Sequence, residues 1–342
     1  MSAPTRRKLV LSGGPIRLDL LTNPFGPSVR VSEALAAEPD LHLHDPRREQ
    51  ALRAQIGAMI GAPAAWITLV NGIDEALWTL FIAQRAHGPV ALFPPTDPGH
   101  ERIARLAGAD VVCIERSPRW QAEIDPAEPG ALTSSTLALV QSPNDPTGGL
   151  LDATNAVRLS RACRLVAIDE RHGEYTGRTH VPLVREFDNV VVLQSFETWA
   201  GLSGLPFAWI VARPPVTAAL AASRPAPRVA TAAAIAALAT LDDITYVRAT
   251  AMRIRDEKAR LYRTLRKLNI VRPLPSWANF LLVHVERGDA SALQMELARR
   301  DVFVYRPEHP ALDGYLRIAA GTPETTRLLR DALIDIARDI EA

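Results

Sequence analysis

Short runs of apolar residues alternate with amphipathic stretches through most of the chain. The apolar runs are residues 66–71, 90–93, 110–114, 137–141, 165–169 and 190–196. They are continuous rather than alternating, which is typical of strands covered on both faces of a largely parallel sheet. Helical periodicity lies between them, most clearly at residues 73–85, 99–107 and 153–162. Strands and helices in this alternation predict an α/β domain.

The pattern changes after residue 242. A long, arginine-rich amphipathic stretch at residues 246–268 predicts a helix that leads from one domain to another. Beyond it, the pattern predicts strands at residues 278–285, 302–305 and 315–319, with helices at residues 290–300 and 323–340. We therefore predict an N-terminal arm (residues 1–30), a large α/β domain (31–244) and a small α+β domain (245–342).

Composition narrows the range of partners. With 342 residues, 47% of them hydrophobic and 23% charged, the chain is typical of globular enzymes. A formal net charge of +1 gives no reason to expect nucleic acid or an anionic membrane as a partner. The alanine-rich residues 229–241 are too few to span a bilayer, and the first residues lack a long apolar core, so we expect a cytoplasmic protein. Cys113 and Cys163 lie in apolar runs, which predicts two buried, unreactive thiols.

Six segments resemble, in order, segments of the fold-type-I PLP-dependent aminotransferases. They are residues 23–27 (NPFGP), 71–75 (NGIDE), 143–148 (PNDPTG), 169–172 (DERH), 195–204 (SFETWAGLSG) and 316–322 (LRIAAGT). The most similar subgroup is histidinol-phosphate aminotransferase with its relative threonine-phosphate decarboxylase. The resemblance implies the aspartate aminotransferase-like fold, with a large, mostly parallel sheet, and a homodimer in which the partner chain completes the pocket.

The lysine that this family requires is missing from its expected position. The family's chemistry needs a lysine amine that holds PLP as a Schiff base and then moves the substrate α-proton. Aligning residues 201–204 places Thr198 there, and a hydroxyl cannot form an imine. The chain has three lysines, Lys8, Lys258 and Lys267, and none lies near this loop in sequence. We therefore predict that no PLP is covalently bound and that ordinary transamination does not occur.

The expected cofactor phosphate site is altered as well. By resemblance, Gly72, Ile73 and Asp74 open the helix under the phosphate, and the backbone N–H groups of a helix start suit an anion. Pro206 replaces the family's arginine, and Glu197 precedes the lysine position. A carboxylate about 4 Å from a phosphate costs on the order of 4 kcal/mol at a surface-like dielectric. These substitutions predict weak binding of PLP.

Acids and imidazoles replace the family's ring contacts. Asp145 stands where an asparagine donates to the phenolic oxygen of PLP, and His172 stands where a tyrosine does. Asp97 and His100 occupy the positions of two further tyrosines. Leu43 occupies the position of the tyrosine that the dimer partner contributes. The resemblance therefore implies a pocket without its aromatic platform.

Two positions keep the family's residue type. Asp169 matches the aspartate that pairs with the pyridine nitrogen, and Arg317 matches the arginine that clamps the substrate carboxylate. Together with Asn23 and Asp97, we assign Arg317 to substrate binding. The structural alternatives are that Asp169 caps a turn and that Arg317 forms an interdomain salt bridge.

The altered pocket leaves four hypotheses open. The first is an enzyme that acts on an amino-acid-like carboxylate without covalent PLP. Its acid–base candidates are His100, Asp145, Asp169, His172, Glu197 and Thr198. The second is a divalent metal held by histidine and carboxylate ligands, although no ligand spacing other than that of His42 and His44 supports it. The third is a catalytically silent binding or partner subunit, and the fourth is non-covalent use of PLP or PMP with His172 or His100 as the base.

Overall fold

The computed structural model describes residues 14–117, 132–134, 136–224 and 228–341. Its strands are β1 (Ile16–Arg17), β2 (Ile67–Val70), β3 (Val90–Leu92), β4 (Val111–Cys113), β5 (Leu137–Gln141), β6 (Leu165–Asp169), β7 (Val190–Ser195), β8 (Ala208–Val211), β9 (Val271–Pro273), β10 (Phe280–Val285), β11 (Val302–Phe303) and β12 (Tyr315–Ala319). Its helices are α1 (Val29–Ala37), α2 (Pro46–Ile60), α3 (Ile73–Gln84), α4 (Pro98–Leu106), α5 (Ala153–Ala162), α6 (Leu183–Glu186), α7 (Pro214–Ala222), α8 (Thr231–Asp242), α9 (Ile244–Leu265), α10 (Ala290–Ala298) and α11 (Pro323–Glu341).

Seven of the described strands form one large sheet in the order β2-β8-β7-β6-β5-β3-β4. Strands β3 to β7 are parallel where they pair, and β8 runs antiparallel to both β7 and β2. Strands β5 and β6 are buried along their whole length, because helices cover both faces of the sheet. The predicted large, mostly parallel sheet is therefore confirmed.

The order of the strands creates a crevice at the carboxyl edge of this sheet. The chain passes from β3 to its outer neighbour β4 and then returns to β5 on the other side of β3. The loops that follow β3 and β5 consequently leave the sheet in opposite directions. In open α/β sheets, ligands bind at such a switch point.

Aromatic packing holds the loop after β7. Phe196 is fully buried, with its ring centroid 4.9 Å from that of Trp209 on β8 and 5.3 Å from that of Trp199. Buried aromatic side chains of this size contribute several kcal/mol each to stability. The two residues between Phe196 and Trp199, Glu197 and Thr198, are therefore presented from a rigid base.

The small domain combines the C-terminal strands with the N-terminal arm. Strands β12, β10 and β9 form an antiparallel sheet, and β1 pairs in parallel with β11. Leu18 is buried in the same apolar cluster as Leu329 on α11. Residues 16–18, which the sequence assigned to an N-terminal arm, thus pack with the strands and helices of the small domain.

Helix α9 connects the two domains, as the amphipathic pattern predicts. It contains 22 residues, which corresponds to roughly 33 Å. Its first half buries Val247, Ala251 and Ile254 against the large domain, while its second half buries Leu261 and Leu265 in the small domain. One continuous helix therefore fixes how the domains face each other.

Two sequence expectations were wrong. Cys113 is exposed on the edge strand β4, because one face of that strand is not covered; only Cys163 is buried. The strand expected at residues 302–305 ends at Phe303, and Tyr305 forms only an isolated bridge to Arg317. In the part of the chain that the structure describes, no helix is long and apolar enough to cross a membrane.

Candidate active site

The loops at the carboxyl edge of the large sheet bring most of the predicted site residues together. Asp97 follows β3, Asp145 follows β5, Asp169 is the last residue of β6, and Glu197 follows β7. Arg317 reaches the same place from β12 of the small domain. Their positions follow from parallel strands, whose carboxyl ends meet at one edge.

Asp169 forms a buried network with His100 and Arg171. His100 Nε2 on α4 lies 3.2 Å from Asp169 Oδ2, and Arg171 Nε donates to the same oxygen at 2.8 Å. The backbone N–H of Arg171 donates to Asp169 Oδ1 at 3.0 Å. Burial would raise the pKa of Asp169, but the Arg171 guanidinium and the His100 ring outweigh it and hold that pKa well below its usual range. Asp169 is thus an anion that is already paired.

Arg171 is the residue that sequence reasoning missed. Besides Asp169, its guanidinium donates to Asp97 Oδ2 at 2.9 Å, and Thr198 Oγ1 donates to its carbonyl at 2.9 Å. The pKa of Asp97 is lowered because the attraction of Arg171 outweighs burial. The available signal was a basic residue two positions after a strand-ending aspartate, in the loop where ligands bind. Arg171 now occupies the centre of the predicted pocket.

Glu197 lies on the N-terminus of α3. Its Oε2 accepts a hydrogen bond from the Ile73 N–H at 3.1 Å. Gly72 has φ of 87°, and a Cβ there would lie 2.9 Å from Glu197 Oε1 and 2.9 Å from Pro206 Cβ, so only glycine fits. Burial raises the pKa of Glu197, partly offset by that backbone hydrogen bond. Asp74, by contrast, is exposed and turned to solvent.

Arg317 pairs with Asp145 across the domain boundary. Arg317 Nη1 donates to Asp145 Oδ2, and Nη2 donates to the Asp19 carbonyl at 2.7 Å. The guanidinium also lies 4.4 Å from the centroid of the Tyr305 ring. Burial raises the pKa of Asp145, although Arg317 counteracts it. The interdomain salt bridge weighed from the sequence is therefore present, and the predicted role of Arg317 in binding a substrate carboxylate stays a prediction.

The pair formed by Asp145 and Arg317 includes two polar atoms without a hydrogen-bond partner among the described residues. Among the described residues, Asp145 Oδ1 and Arg317 Nε have no hydrogen-bond partner, although both atoms are buried. Leaving a buried donor or acceptor unpaired costs about 1–3 kcal/mol, so each such group calls for a missing partner. One of these atoms accepts and the other donates, so a ligand with both functions would satisfy them.

His172 is buried beside Phe280, with the two ring centroids 5.7 Å apart and the rings nearly perpendicular. Burial, followed by the positive charge of Arg171, lowers the pKa of His172 to about 3. The imidazole is thus neutral near pH 7, the form that can accept a proton and does not act as an imidazolium acid. Its Nδ1 has no hydrogen-bond partner within the described residues, and its acid–base role stays a prediction.

Asn23 does not face a ligand. Its Nδ2 donates to the Trp199 carbonyl at 2.8 Å and lies 3.3 Å from Thr250 Oγ1, while its Oδ1 accepts from the Phe25 N–H at 2.8 Å. The amide is thus used within the chain, where it ties the N-terminal arm to the loop after β7. These contacts give Asn23 a structural role, and its predicted role in substrate binding stays a prediction.

A cavity of about 140 Å³ opens at the switch point between β3 and β5. Its polar lining includes Asp97, Asp145, Tyr305, Glu308 and His309. Its apolar walls include Pro94, Pro95, Pro98, Pro146, Leu92 and Leu312. Asp145, the carboxylate that pairs with Arg317, therefore borders a space that a small molecule with both polar and apolar parts can enter.

The described residues offer no set of side chains that would support the hypothesis of a bound divalent metal. In residues 14–117, 132–134, 136–224 and 228–341, no three histidine, cysteine, aspartate or glutamate side chains are placed to hold a metal ion. The reason is visible in the contacts, since Asp97, Asp145 and Asp169 each turn toward a guanidinium. Within the described residues, these carboxylates are thus engaged with arginines and are not grouped as metal ligands.

Comparisons with known proteins agree with this fold. The model of the family "Aminotransferase class I and II" matches residues 20–333. A histidinol-phosphate aminotransferase of Roseiflexus castenholzii is 33% identical over 336 residues, covering 95% of this chain and 89% of the relative.

Two solved structures are similar over most of their length. Histidinol-phosphate aminotransferase from Sinorhizobium meliloti, in complex with pyridoxal-5'-phosphate, superposes with a TM-score of 0.84 at 22% identity, covering 95% of this chain and 91% of that chain. L-threonine-O-3-phosphate decarboxylase from Porphyromonas gingivalis superposes with a TM-score of 0.82 at 20% identity, covering 94% and 99%. The fold expected from the six sequence segments is confirmed.

Proposed function

Because this chain belongs to the class I and II aminotransferase family, we propose that it is an enzyme of that fold that acts on a small zwitterionic amino acid. It does so by acid–base chemistry and without covalently bound PLP. The observation that carries this proposal is Asp145, which lines the interdomain cavity and is paired with the buried Arg317 behind it. Thr198, at the position that the resemblance assigns to lysine, supports the absence of the family's usual covalent step, because a hydroxyl cannot form an imine.

A zwitterionic ligand can replace the internal ion pair between Asp145 and Arg317. Its carboxylate would pair with Arg317 and its ammonium with Asp145, so two intermolecular ion pairs replace one internal pair. A simple carboxylate would leave Asp145 buried as an unpaired anion, and breaking a buried pair in this way costs about 3–5 kcal/mol. The unpartnered Asp145 Oδ1 and Arg317 Nε supply the additional acceptor and donor that the ligand needs.

The cavity limits the size of the ligand. Its volume of about 140 Å³ is close to that of an engineered cavity of about 150 Å³ that binds benzene. A ligand with roughly six to eight non-hydrogen atoms therefore fits. The proline and leucine walls suit a short apolar side chain.

Asp145 is the acid–base group of the proposal. Its pKa is raised by burial, and a raised carboxyl pKa brings proton transfer closer to neutral pH. The other sequence candidates are committed elsewhere, since Asp169 and His100 are bound to each other and Glu197 holds the start of α3. The six predicted candidates are thus reduced to one that borders the cavity.

A second candidate function is ligand binding without turnover. The observation that favours it is that Asp169, His100 and Arg171 form a closed network with no group facing a ligand. In that case the same zwitterion would bind at Asp145 and Arg317, and no bond would change.

The experiment is isothermal titration calorimetry with L-alanine, propionate and ethylamine, followed by proton NMR of L-alanine with the protein in D₂O. L-Alanine should bind about tenfold tighter or more than either fragment, because only it satisfies both charges. Arg317→Gln and Asp145→Asn should each abolish that preference. The control is Arg327→Gln/Asp331→Asn, which removes an exposed ion pair on α11 with side chains 57% and 42% exposed.

The outcomes separate the two candidates. Binding with exchange of the alanine α-proton for deuterium, lost in Asp145→Asn, supports the enzyme. Binding without exchange, tested with serine and valine as well, supports a binding protein. Equal affinities for the zwitterion and its fragments would overturn both.

A further inference from the structure

We propose that Arg171 and Glu197 are built-in occupants of the site that the family uses for its cofactor. The Arg171 guanidinium lies at the place of the pyridine ring, and the Glu197 carboxylate lies at the place of the phosphate. The inference rests on two positions that the resemblance identifies, the Asp169 carboxylate and the N-terminus of α3. It does not depend on which ligand enters the interdomain cavity.

The Glu197 carboxylate occupies the position that we assign to the cofactor phosphate. Its carboxylate accepts the first N–H group of α3 and contacts Gly72 so closely that a Cβ would not fit between them. Pro206 closes the same space from the other side and brings no positive charge. A phosphate placed there would have to expel a carboxylate that already uses the helix terminus.

The Arg171 guanidinium occupies the position that we assign to the pyridine ring of the cofactor. Two of its nitrogens lie 2.7 and 2.8 Å from Asp169 Oδ2, the carboxylate that the resemblance pairs with the pyridine nitrogen. His100, at a position where the family has a tyrosine, lies 3.2 Å from the same oxygen instead of offering its face to a ring. A pyridinium would have to break two charge-assisted hydrogen bonds before making one of its own.

The local charge adds to the steric argument. Arg171 is attracted by Asp169, Asp97 and Glu197 together, which makes it the cation that balances three carboxylates. PLP would bring a phosphate and a phenolic oxygen into this set of carboxylates while displacing the cation that balances them. The residues present therefore do not fit PLP, and they form a site that is complete without it.

The test restores the family-like residues and measures PLP binding directly. The variants are Thr198→Lys alone, Arg171→Ala/Glu197→Ser, and the triple variant that combines all three substitutions. PLP binding is measured by equilibrium dialysis and by the absorbance of a protonated imine, followed by borohydride and peptide mass spectrometry. Glu324→Ser, which removes an exposed carboxylate from the first turn of α11, is the matched control.

Wild type, Thr198→Lys and the control should bind no PLP with a dissociation constant below about 1 mM. The double variant should bind PLP at least about tenfold tighter than wild type, and the triple variant should in addition carry a pyridoxyl group at position 198 after borohydride. Stoichiometric PLP binding by wild type or by Thr198→Lys would overturn the proposal. So would a folded triple variant with no gain over wild type.

The Arg171→Ala substitution removes the main partner of Asp169, so variants that contain it can fail to fold. A second variant that keeps Arg171 therefore tests the phosphate position separately. Glu197→Ser/Thr198→Lys keeps the Asp169–Arg171 pair and opens only the phosphate position. With inorganic phosphate as the probe, its calorimetric affinity should exceed that of Thr198→Lys by about tenfold or more, because the competing carboxylate is gone. Equal phosphate affinities would refute the assignment of Glu197. No amino acid is present in these assays, so their failure is distinct from a failure of the proposed function.

Discussion

Removing Arg317 should destabilise the protein much more than removing both members of the Asp145–Arg317 pair. In Arg317→Gln, Asp145 stays 93% buried with no cation, and such an unpaired buried charge costs about 3–5 kcal/mol. In Asp145→Asn, Arg317 keeps the Asp19 carbonyl at 2.7 Å and the Tyr305 ring, so the loss should be nearer 1.5–3 kcal/mol, roughly that of a charged hydrogen bond.

The double variant Asp145→Asn/Arg317→Gln replaces two charges by two amides. It should be more stable than Arg317→Gln alone by about 1–3 kcal/mol, the range for coupled residues in contact. The measurement is the free energy of unfolding in urea for all four proteins, with circular dichroism and tryptophan fluorescence as the two probes. If each single variant lies within about 0.5 kcal/mol of wild type, or if the double variant loses the sum of both, the pair is not buried and coupled as described.

The pH dependence of Arg317→Gln provides an independent check. Asp145 already has a raised pKa, and loss of Arg317 should raise it further. A carboxyl group with a raised folded pKa binds protons more strongly in the folded state, so stability falls as pH rises from the unfolded value of about 3.9 through the folded pKa. Arg317→Gln should therefore approach wild-type stability as the pH is lowered from 7 toward 4. A destabilisation that does not change with pH would contradict an ionised Asp145 as its cause.

Three further predictions concern other parts of the molecule. Asp169→Asn should cost about 3–5 kcal/mol, because it removes a fully buried carboxylate from the Arg171 guanidinium, whose side chain is 16% exposed; since the Asp169 pKa is lowered, wild type should lose this advantage as the pH falls below about 4, and equal acid unfolding of both proteins would be inconsistent with the network. Ellman's reagent should titrate one thiol in the native protein and none in Cys113→Ser, because Cys163 is buried and burial raises its pKa to about 12; two fast thiols would show that Cys163 is accessible. From the family resemblance we expect a homodimer, with the exposed Leu43 near the partner, and a monomer by light scattering at micromolar concentration would exclude it.

The sequence pattern predicts the strands well where burial on both faces leaves a continuous apolar run. β5 and β6 were predicted at their observed bounds for this reason. β8 was missed, because its short apolar run follows directly on a motif that was interpreted as a loop. An apolar run has no direction, so periodicity alone also does not predict that β8 is antiparallel.

The sequence predicts which residues lie near the site, but it does not predict the contacts that their side chains make. Strand order brings Asp97, Asp145 and Asp169 to one edge, and motif spacing identifies all three. The direction of a side chain in a loop depends on its tertiary neighbours, which no local pattern encodes. Arg171 turns toward Asp169 for that reason, and Asn23 turns away from the site to reach the Trp199 carbonyl.

The substitutions in the former cofactor pocket become consistent when its charges are considered together. The carboxylates Asp97 and Asp145, which stand at positions of a tyrosine and an asparagine in the family, and Glu197 before the lysine position would be buried and uncompensated if nothing else changed, and each such charge costs several kcal/mol. Yet each has an internal partner: Arg171 for Asp97, Arg317 for Asp145, and the N-terminus of α3 for Glu197. We infer that the charges of this site are balanced within the chain. Among the described residues, Asp145 Oδ1 and Arg317 Nε are buried without a hydrogen-bond partner, and Asp145 also lines the cavity, so we expect a ligand to bind at this pair.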